Sequence, residues 1–202
     1  MKLFTNISLS GIALGLFVNV AQADGESCQS FSESWELRNC WYLGVGLNIS
    51  DLKPDSSKTS WEVTDDSDQG FSLHLGVNLT HHVFTELSYS DLGESTLESR
   101  NPFITNKEFI SYKVPALWLG YYLRGYEESR DWDIYVKVGV GGITNDSSSE
   151  LLPYKEQTSW QLALAVGAEY KLSEHWDARL SFFSFDEDAR GVGLSLTRDL
   201  VF

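Results

Sequence analysis

Trp160-Gln-Leu-Ala-Leu-Ala-Val-Gly-Ala-Glu-Tyr-Lys171 decides the fold. Trp160, Leu162, Leu164, Val166, Ala168 and Tyr170 share one face, while Gln161, Ala163, Ala165, Gly167, Glu169 and Lys171 share the other. A period of two is the signature of a β-strand. Its apolar face carries an aromatic ring at each end, and its opposite face holds small or charged side chains. Residues 173–175 break the alternation, which resumes at Trp176, Ala178, Leu180 and Phe182. Antiparallel pairing across that turn puts Lys171 opposite Asp177 and Glu169 opposite Arg179, all four on the small-residue face.

The same unit recurs in both directions. Upstream lie Trp132, Ile134, Val136, Val138 and Val140, then Val83, Thr85, Leu87 and Tyr89, then Phe71 to Leu79, then Trp41, Leu43, Val45, Leu47 and Ile49. Downstream come Val192, Leu194, Leu196, Leu200 and Phe202; with a segment over residues 110–123 the count is eight. Strands of about ten residues suit a tilted crossing of a hydrocarbon layer ~30 Å thick. Residues 80–82 and 173–175 make short turns, whereas residues 51–70, 91–109 and 143–158 read as long polar loops. That asymmetry belongs to an outer-membrane barrel, with turns toward the periplasm and loops outside. The predicted fold is all-β, an eight-stranded antiparallel up-and-down transmembrane β-barrel.

A soluble eight-stranded barrel also alternates, but turns its apolar face inward around a ligand. Residue size favours the membrane form. The polar face is mostly Gly, Ala and Ser, which fit a narrow interior, and Trp41, Trp132, Tyr170, Trp176 and Phe202 form one aromatic girdle at the periplasmic level. The segment over residues 110–123 reads less cleanly: Ile110, Tyr112 and Val114 look outward and Lys113 inward, while Leu117, Leu119 and Tyr121 look outward. A β-bulge near Pro115 would switch the phase.

Composition narrows the partners. The 202 residues carry 15 Lys+Arg against 29 Asp+Glu, a net charge of −14, which argues against a nucleic-acid partner. Residues 1–23 read as a cleaved signal peptide: Lys2, an apolar run, then Ala21-Gln22-Ala23 before Asp24. Residues 24–40 form an N-terminal periplasmic segment, and residues 41–202 the barrel. Export to an oxidising compartment favours a Cys28–Cys40 disulfide, with redox or metal chemistry as the weaker alternative.

Particular stretches resemble the OmpA-type outer-membrane barrel: Phe84-Thr-Glu-Leu-Ser-Tyr-Ser-Asp-Leu-Gly93, Leu119-Gly-Tyr121 with Trp132-Asp-Ile-Tyr-Val-Lys137, Gly167-Ala-Glu-Tyr-Lys-Leu-Ser173 through Ala178-Arg-Leu180, and terminal Phe202. The resemblance covers residues 41–202. It implies a bacterial outer-membrane location, an ion-paired interior, and recognition of Phe202 by the barrel-assembly machinery. The peptidoglycan-binding domain of full-length members has no counterpart in this sequence, so cell-wall tethering is not implied. Trp118 stands where such barrels often carry an inward basic residue.

The interior charges are legible without the family. Glu86 points inward on the third strand, diagonal to His74, and Lys137 points inward on the fifth. An unpaired buried carboxylate costs several kcal/mol, so Glu86 is expected to find Arg179, Lys137 or His74. The predicted interior network is Glu86, Lys137, Glu169, Arg179, Lys171, Asp177 and His74, and it plugs a barrel barely wide enough for its side chains. Exchange of those pairs would instead make a small, low-conductance porin. Ser72, His74 and Glu86 raise the question of a lipid A-modifying enzyme, but a satisfied interior histidine is the better reading, so no enzyme is expected. No metal-ligand spacing or phosphate-cradling loop suggests a cofactor.

Asp65, Asp66, Asp68, Asp146 and Glu150 read as a solvated acidic outer surface; bridging to lipopolysaccharide phosphates by divalent cations lacks any EF-hand-like spacing. Trp61 and Phe103 read as exposed loop residues. The expected protein is a monomeric barrel with a structural or cell-surface role, with envelope integrity and adhesion as the consequences the resemblance implies. Its expected partners are outer-membrane lipid and lipopolysaccharide, with the assembly machinery during biogenesis.

Overall fold

The computed structural model describes residues 40–53, 61–100, 107–123, 131–147, 157–186 and 189–200. Cys28, Phe103, Glu150 and Phe202, like the segment read as a signal peptide, lie outside them. The elements are β1 (Cys40–Leu52), β2 (Trp61–Asp65), β3 (Ser67–Asn78), β4 (Val83–Ser99), β5 (Lys107–Tyr122), β6 (Trp132–Ser147), β7 (Gln157–Lys171), β8 (Trp176–Asp186) and β9 (Ala189–Leu200). Every pairing is antiparallel, β1 pairs with both β3 and β9, and β4–β5 pairing completes the ring. The result is a closed eight-stranded barrel in which β2 extends β3 outward along β4.

The apolar faces point out. Leu47, Leu75, Leu87, Leu119, Val138, Leu164, Phe182 and Leu194 are all exposed, and the intervening small or polar residues are buried. Trp41, Trp132 and Tyr170 mark one rim of this band, at the end where β1 starts and β9 finishes. Phe71, Tyr89 and Trp160 mark a second aromatic level at the other rim, beyond the one girdle legible in the sequence.

A band ~25 Å tall needs only about ten tilted residues, yet β4, β5, β6 and β7 run 17, 16, 16 and 15 residues. Most of the expected long loops are therefore strand. In the outer part of β4, Glu94, Thr96 and Glu98 face water while Ser95 and Leu97 are fully buried. The period of two persists there, although both faces no longer differ in the way a lipid boundary demands. Trp61, expected in an exposed loop, sits in β2 opposite Ser99 and is 3% exposed.

The fourth membrane strand, β5, also differs from its expected phase. Burial alternates without interruption from Lys107 to Tyr122, so Ile110, Tyr112 and Val114 point inward and Lys113 outward. There is no bulge at Pro115: the β5–β6 ladder skips Val114 and Pro115 and resumes in the same register. The bulge lies in the partner strand, between Asp91 and Gly93 of β4, where Gly93 adopts φ +88°. A Cβ there would also strike the Asp68 side chain, so glycine is required twice over.

Candidate functional site

Inward positions at common heights build the lumen in layers. Nearest the terminus-bearing end, Tyr42, Phe84, Tyr122 and Tyr135 form a buried aromatic layer. Space for these rings comes from the strands beside them: Tyr42 lies opposite Gly76 and Phe84 opposite Gly120, and a Cβ on either glycine would enter the facing ring. Aromatic cover of a strand glycine is a recognised device for holding register.

Above this layer is the charged cluster, centred on Glu86, which is 2% exposed. Its Oε1 accepts a hydrogen bond from Lys137 Nζ at 2.8 Å and lies 3.3 Å from His74 Nδ1. Its Oε2 accepts from the Tyr42 hydroxyl at 2.8 Å and from Arg179 Nη1 at 3.1 Å. Arg179 Nε donates to Glu169, Nη2 donates to the Tyr122 hydroxyl at 3.1 Å, and that hydroxyl donates to Glu169 at 3.2 Å. The guanidinium also lies over the Tyr42 ring at 4.2 Å, and Lys137 Nζ over the Trp118 ring at 4.9 Å. Two carboxylates thus meet two cations in a space without bulk water, and every charge has a partner.

All three expected partners of Glu86 reach it, and Glu169 faces Arg179 as the turn at residues 173–175 predicts. Lys171 and Asp177 are register partners, but no ion pair joins them among the described residues, and Asp177 Oδ1 is buried without a hydrogen bond. They stand at the terminus-bearing mouth of the barrel, near Asp199 and outside the network. Sequence reasoning missed Tyr42 and Tyr122, whose hydroxyls tie the cluster together. For Tyr42 the usable signal was an inward tyrosine placed opposite a glycine, Gly76; Tyr122 faces Tyr135 and carried no such signal.

On the outer side of the cluster lies a polar chamber of about 20 Å³, lined by Asn48, Ser72, His74, Ser88, Ser90 and Lys137 among others. Trp118 Nε1 donates to Ser88 Oγ at 2.9 Å, and Asn48 Nδ2 has no partner. His74 Nε2 lies 2.9 Å from Ser72 Oγ, so Ser72, His74 and Glu86 form a line with the spacing of a hydrolase triad. A chamber of this size holds one water molecule and no acyl substrate. Glu86 is also shared with both cations, so its hydrogen bond to the imidazole is one of several. Among the described residues no cluster of His, Cys, Asp or Glu is placed to hold a metal ion.

The outermost layer is apolar. Trp118, Val114, Ile143, Phe185, Leu97, Leu92 and Trp61 belong to one buried cluster that fills the barrel above the chamber. Among the described residues the lumen is filled by ion pairs below and by packed rings and aliphatic chains above.

Comparison with known proteins agrees with this architecture. The family described as outer membrane protein beta-barrel domain matches residues 10–194. The chain is 26% identical over 171 residues to outer membrane protein A of Escherichia coli O157:H7, an alignment covering 85% of this chain and 44% of that protein. It is similar in structure to the outer membrane protein OprG from Pseudomonas aeruginosa, with a TM-score of 0.58, 19% identity, and 83% and 98% of the two chains covered. It is also similar to Ail, the attachment invasion locus protein of Yersinia pestis, solved with the heparin analogue sucrose octasulfate; there the TM-score is 0.51, the identity 14%, and the coverage 82% and 100%.

Proposed function

The chain belongs to the outer-membrane protein β-barrel domain family, and from that premise we propose that it serves the bacterial outer membrane as a structural and cell-surface barrel with a closed lumen. The observation that carries this reading is the Glu86 cluster, in which one buried carboxylate holds Lys137, Arg179, Tyr42 and His74 across the full width of the barrel. A pore would have to break those bonds and displace the apolar cluster around Trp118 as well. The contribution to envelope integrity is mechanical: a rigid, lipid-anchored cylinder whose neighbours are outer-membrane lipid and lipopolysaccharide, inserted by the assembly machinery through the C-terminal strand.

Planar-bilayer recording of the purified full chain tests the closed lumen. Silence at all applied potentials is the expected result, and repeated discrete openings would overturn it in favour of a low-conductance porin. The chamber beneath Trp118 favours the porin, since it is a place where water would enter the path. Adhesion is the secondary cell-surface role. Ail is named for attachment and was solved with a sulfated sugar analogue; on the outer strands of this chain Glu62 pairs with Arg100 at 3.7 Å and Glu98 with Lys107 at 2.6 Å, so the surface there carries both signs of charge.

A further inference from the structure

The walls of the polar chamber keep donors in hand after their contacts with one another are made. Trp118 Nε1 donates to Ser88 Oγ, so the one hydroxyl proton of Ser88 needs a different acceptor. Asn48 lines the same space and is 4% exposed, and its Nδ2 finds no acceptor among the described residues. Lys137 Nζ carries three protons, of which Glu86 Oε1 takes one. No carboxylate stands among the described lining residues, since Glu86 meets the chamber through Lys137 and His74.

A lining of spare donors suits a ligand that accepts and does not donate. A water molecule would satisfy two of these groups and bring two protons of its own. A monoatomic halide accepts from all of them, and it fits a space of about 20 Å³ that excludes sulfate and phosphate. Its charge has to be met, because Lys137 and Arg179 already balance Glu86 and Glu169.

His74 can meet it. Its Nδ1 faces Glu86 at 3.3 Å and its Nε2 faces Ser72 Oγ at 2.9 Å. In a neutral ring that donates from Nδ1 to the carboxylate, Nε2 accepts the Ser72 proton. In the imidazolium Nε2 donates to Ser72 Oγ, and the Ser72 hydroxyl is released to a partner in the chamber it lines. One proton therefore cancels the charge of the halide and supplies a further donor. The groups that bear on His74 are Glu86 of β4 and, through that carboxylate, Lys137 of β6, Arg179 of β8 and the Tyr42 hydroxyl of β1. Asp68, Asp177 and Asp199 lie four residues along β3, β8 and β9 from the lining Ser72, Ser181 and Ser195, a distance of about 13 Å along each strand.

We propose that the chamber is a binding site for one halide ion, chloride in ordinary solution, held by Asn48 Nδ2, the Ser88 hydroxyl and Lys137 Nζ and taken up together with a proton on His74. The site does not rest on the closed lumen, since channel openings in a bilayer would leave it standing.

The test uses the full chain folded in detergent micelles, with urea unfolding followed at constant ionic strength while sodium chloride replaces sodium gluconate. Above the dissociation constant, one bound ion lowers the wild-type unfolding constant about tenfold for each tenfold rise in chloride. Asn48→Asp, which sets a carboxylate against the ion, should flatten that dependence, and Asn48→Ala should move its onset to about tenfold higher chloride. The chloride effect should weaken as pH rises through about 5 to 8, where histidine loses its charge, and His74→Gln should remove that pH dependence. Heat-dependent gel mobility confirms that each variant remains a barrel. Independently of any variant, crystals of the wild-type chain soaked in sodium bromide should show anomalous scattering from one ion inside the chamber. A wild-type unfolding constant indifferent to chloride, an equal dependence in Asn48→Asp, or bromide at the surface alone would each overturn the site, and a chloride effect that does not change with pH would overturn its coupling to His74.

Discussion

Replacing Glu86 with alanine is the sharpest perturbation of the lumen. The carboxylate accepts from Lys137, Arg179 and Tyr42 and meets His74. After its removal Arg179 keeps Glu169 and the Tyr122 hydroxyl, but Lys137 keeps only the faces of Trp118 and Tyr135, at 4.9 and 5.7 Å. Breaking one partner of a buried pair costs ~3–5 kcal/mol, and the rings offset some of that, since a desolvated cation–π contact is worth ~2 kcal/mol. The expected loss is therefore about 3 kcal/mol, the low end of the range for a broken buried pair. With a urea dependence of ~1–3 kcal/mol per molar, the unfolding midpoint falls by about 1–3 M. Tryptophan fluorescence and heat-dependent gel mobility during urea titration in detergent micelles read this directly. Adding Lys137→Met removes the stranded cation and should restore more than half of the loss. A Glu86→Ala midpoint within ~0.5 kcal/mol of wild type, or no recovery in the double variant, would show that the cluster does not hold the lumen.

Gly120→Ala should cost about 1–3 kcal/mol by the same titration because the added methyl enters the Phe84 ring, whereas Gly142→Ala, whose methyl meets Trp160 at an ordinary 3.4 Å, should be close to neutral. The phase of β5 is checked by cysteine labelling of whole cells with a bulky maleimide: Lys113→Cys should react and Tyr112→Cys should not, and the reverse pattern would move the phase switch back to Pro115. Ser72 should resist a fluorophosphonate probe in the folded barrel, because it is 3% exposed over a chamber that fits one water; labelling at Ser72, lost in His74→Ala, would revive hydrolytic chemistry. Trp118→Ala combined with Phe185→Ala removes two touching rings, 5.6 Å between centroids, from the outer seal, and bilayers carrying this variant should show openings more often than those with the wild type.

How much of this was legible depended on how strongly the two sides of a strand differ. Around the turn at residues 173–175 the contrast is greatest, lipid on one side and a charged lumen on the other, and the register of Glu169 with Arg179 follows from counting. Farther out, β4 and β5 leave the bilayer, Glu94 and Glu98 replace Leu87 and Tyr89 on the outer face, and the stretch reads as loop although Leu97 and Ile110 pack a core. The phase error on β5 has a related origin. Pro115 attracted the bulge, but its missing N–H falls at a skipped ladder position, while the extra residue is in β4, where Leu92 precedes a glycine of positive φ.

The charged cluster was partly legible for a different reason. Pairwise register relates only neighbours, yet Glu86 on β4 and Arg179 on β8 touch across the barrel. What allowed them to be matched is that a barrel this narrow has few places for a buried charge, so each carboxylate must take the cations available at its own height. The same reasoning explains why the seal has two parts. Ion pairs alone can exchange partners at little cost when a second cation is at hand, as Lys137 and Arg179 are for Glu86. Packed side chains cannot exchange in that way: to open, Trp118, Phe185 and Ile143 must expose apolar surface to water at ~25 cal/mol per Å². The apolar layer therefore sets the barrier to any passage through the lumen, and the charged layer sets which barrel heights and registers are compatible with folding at all.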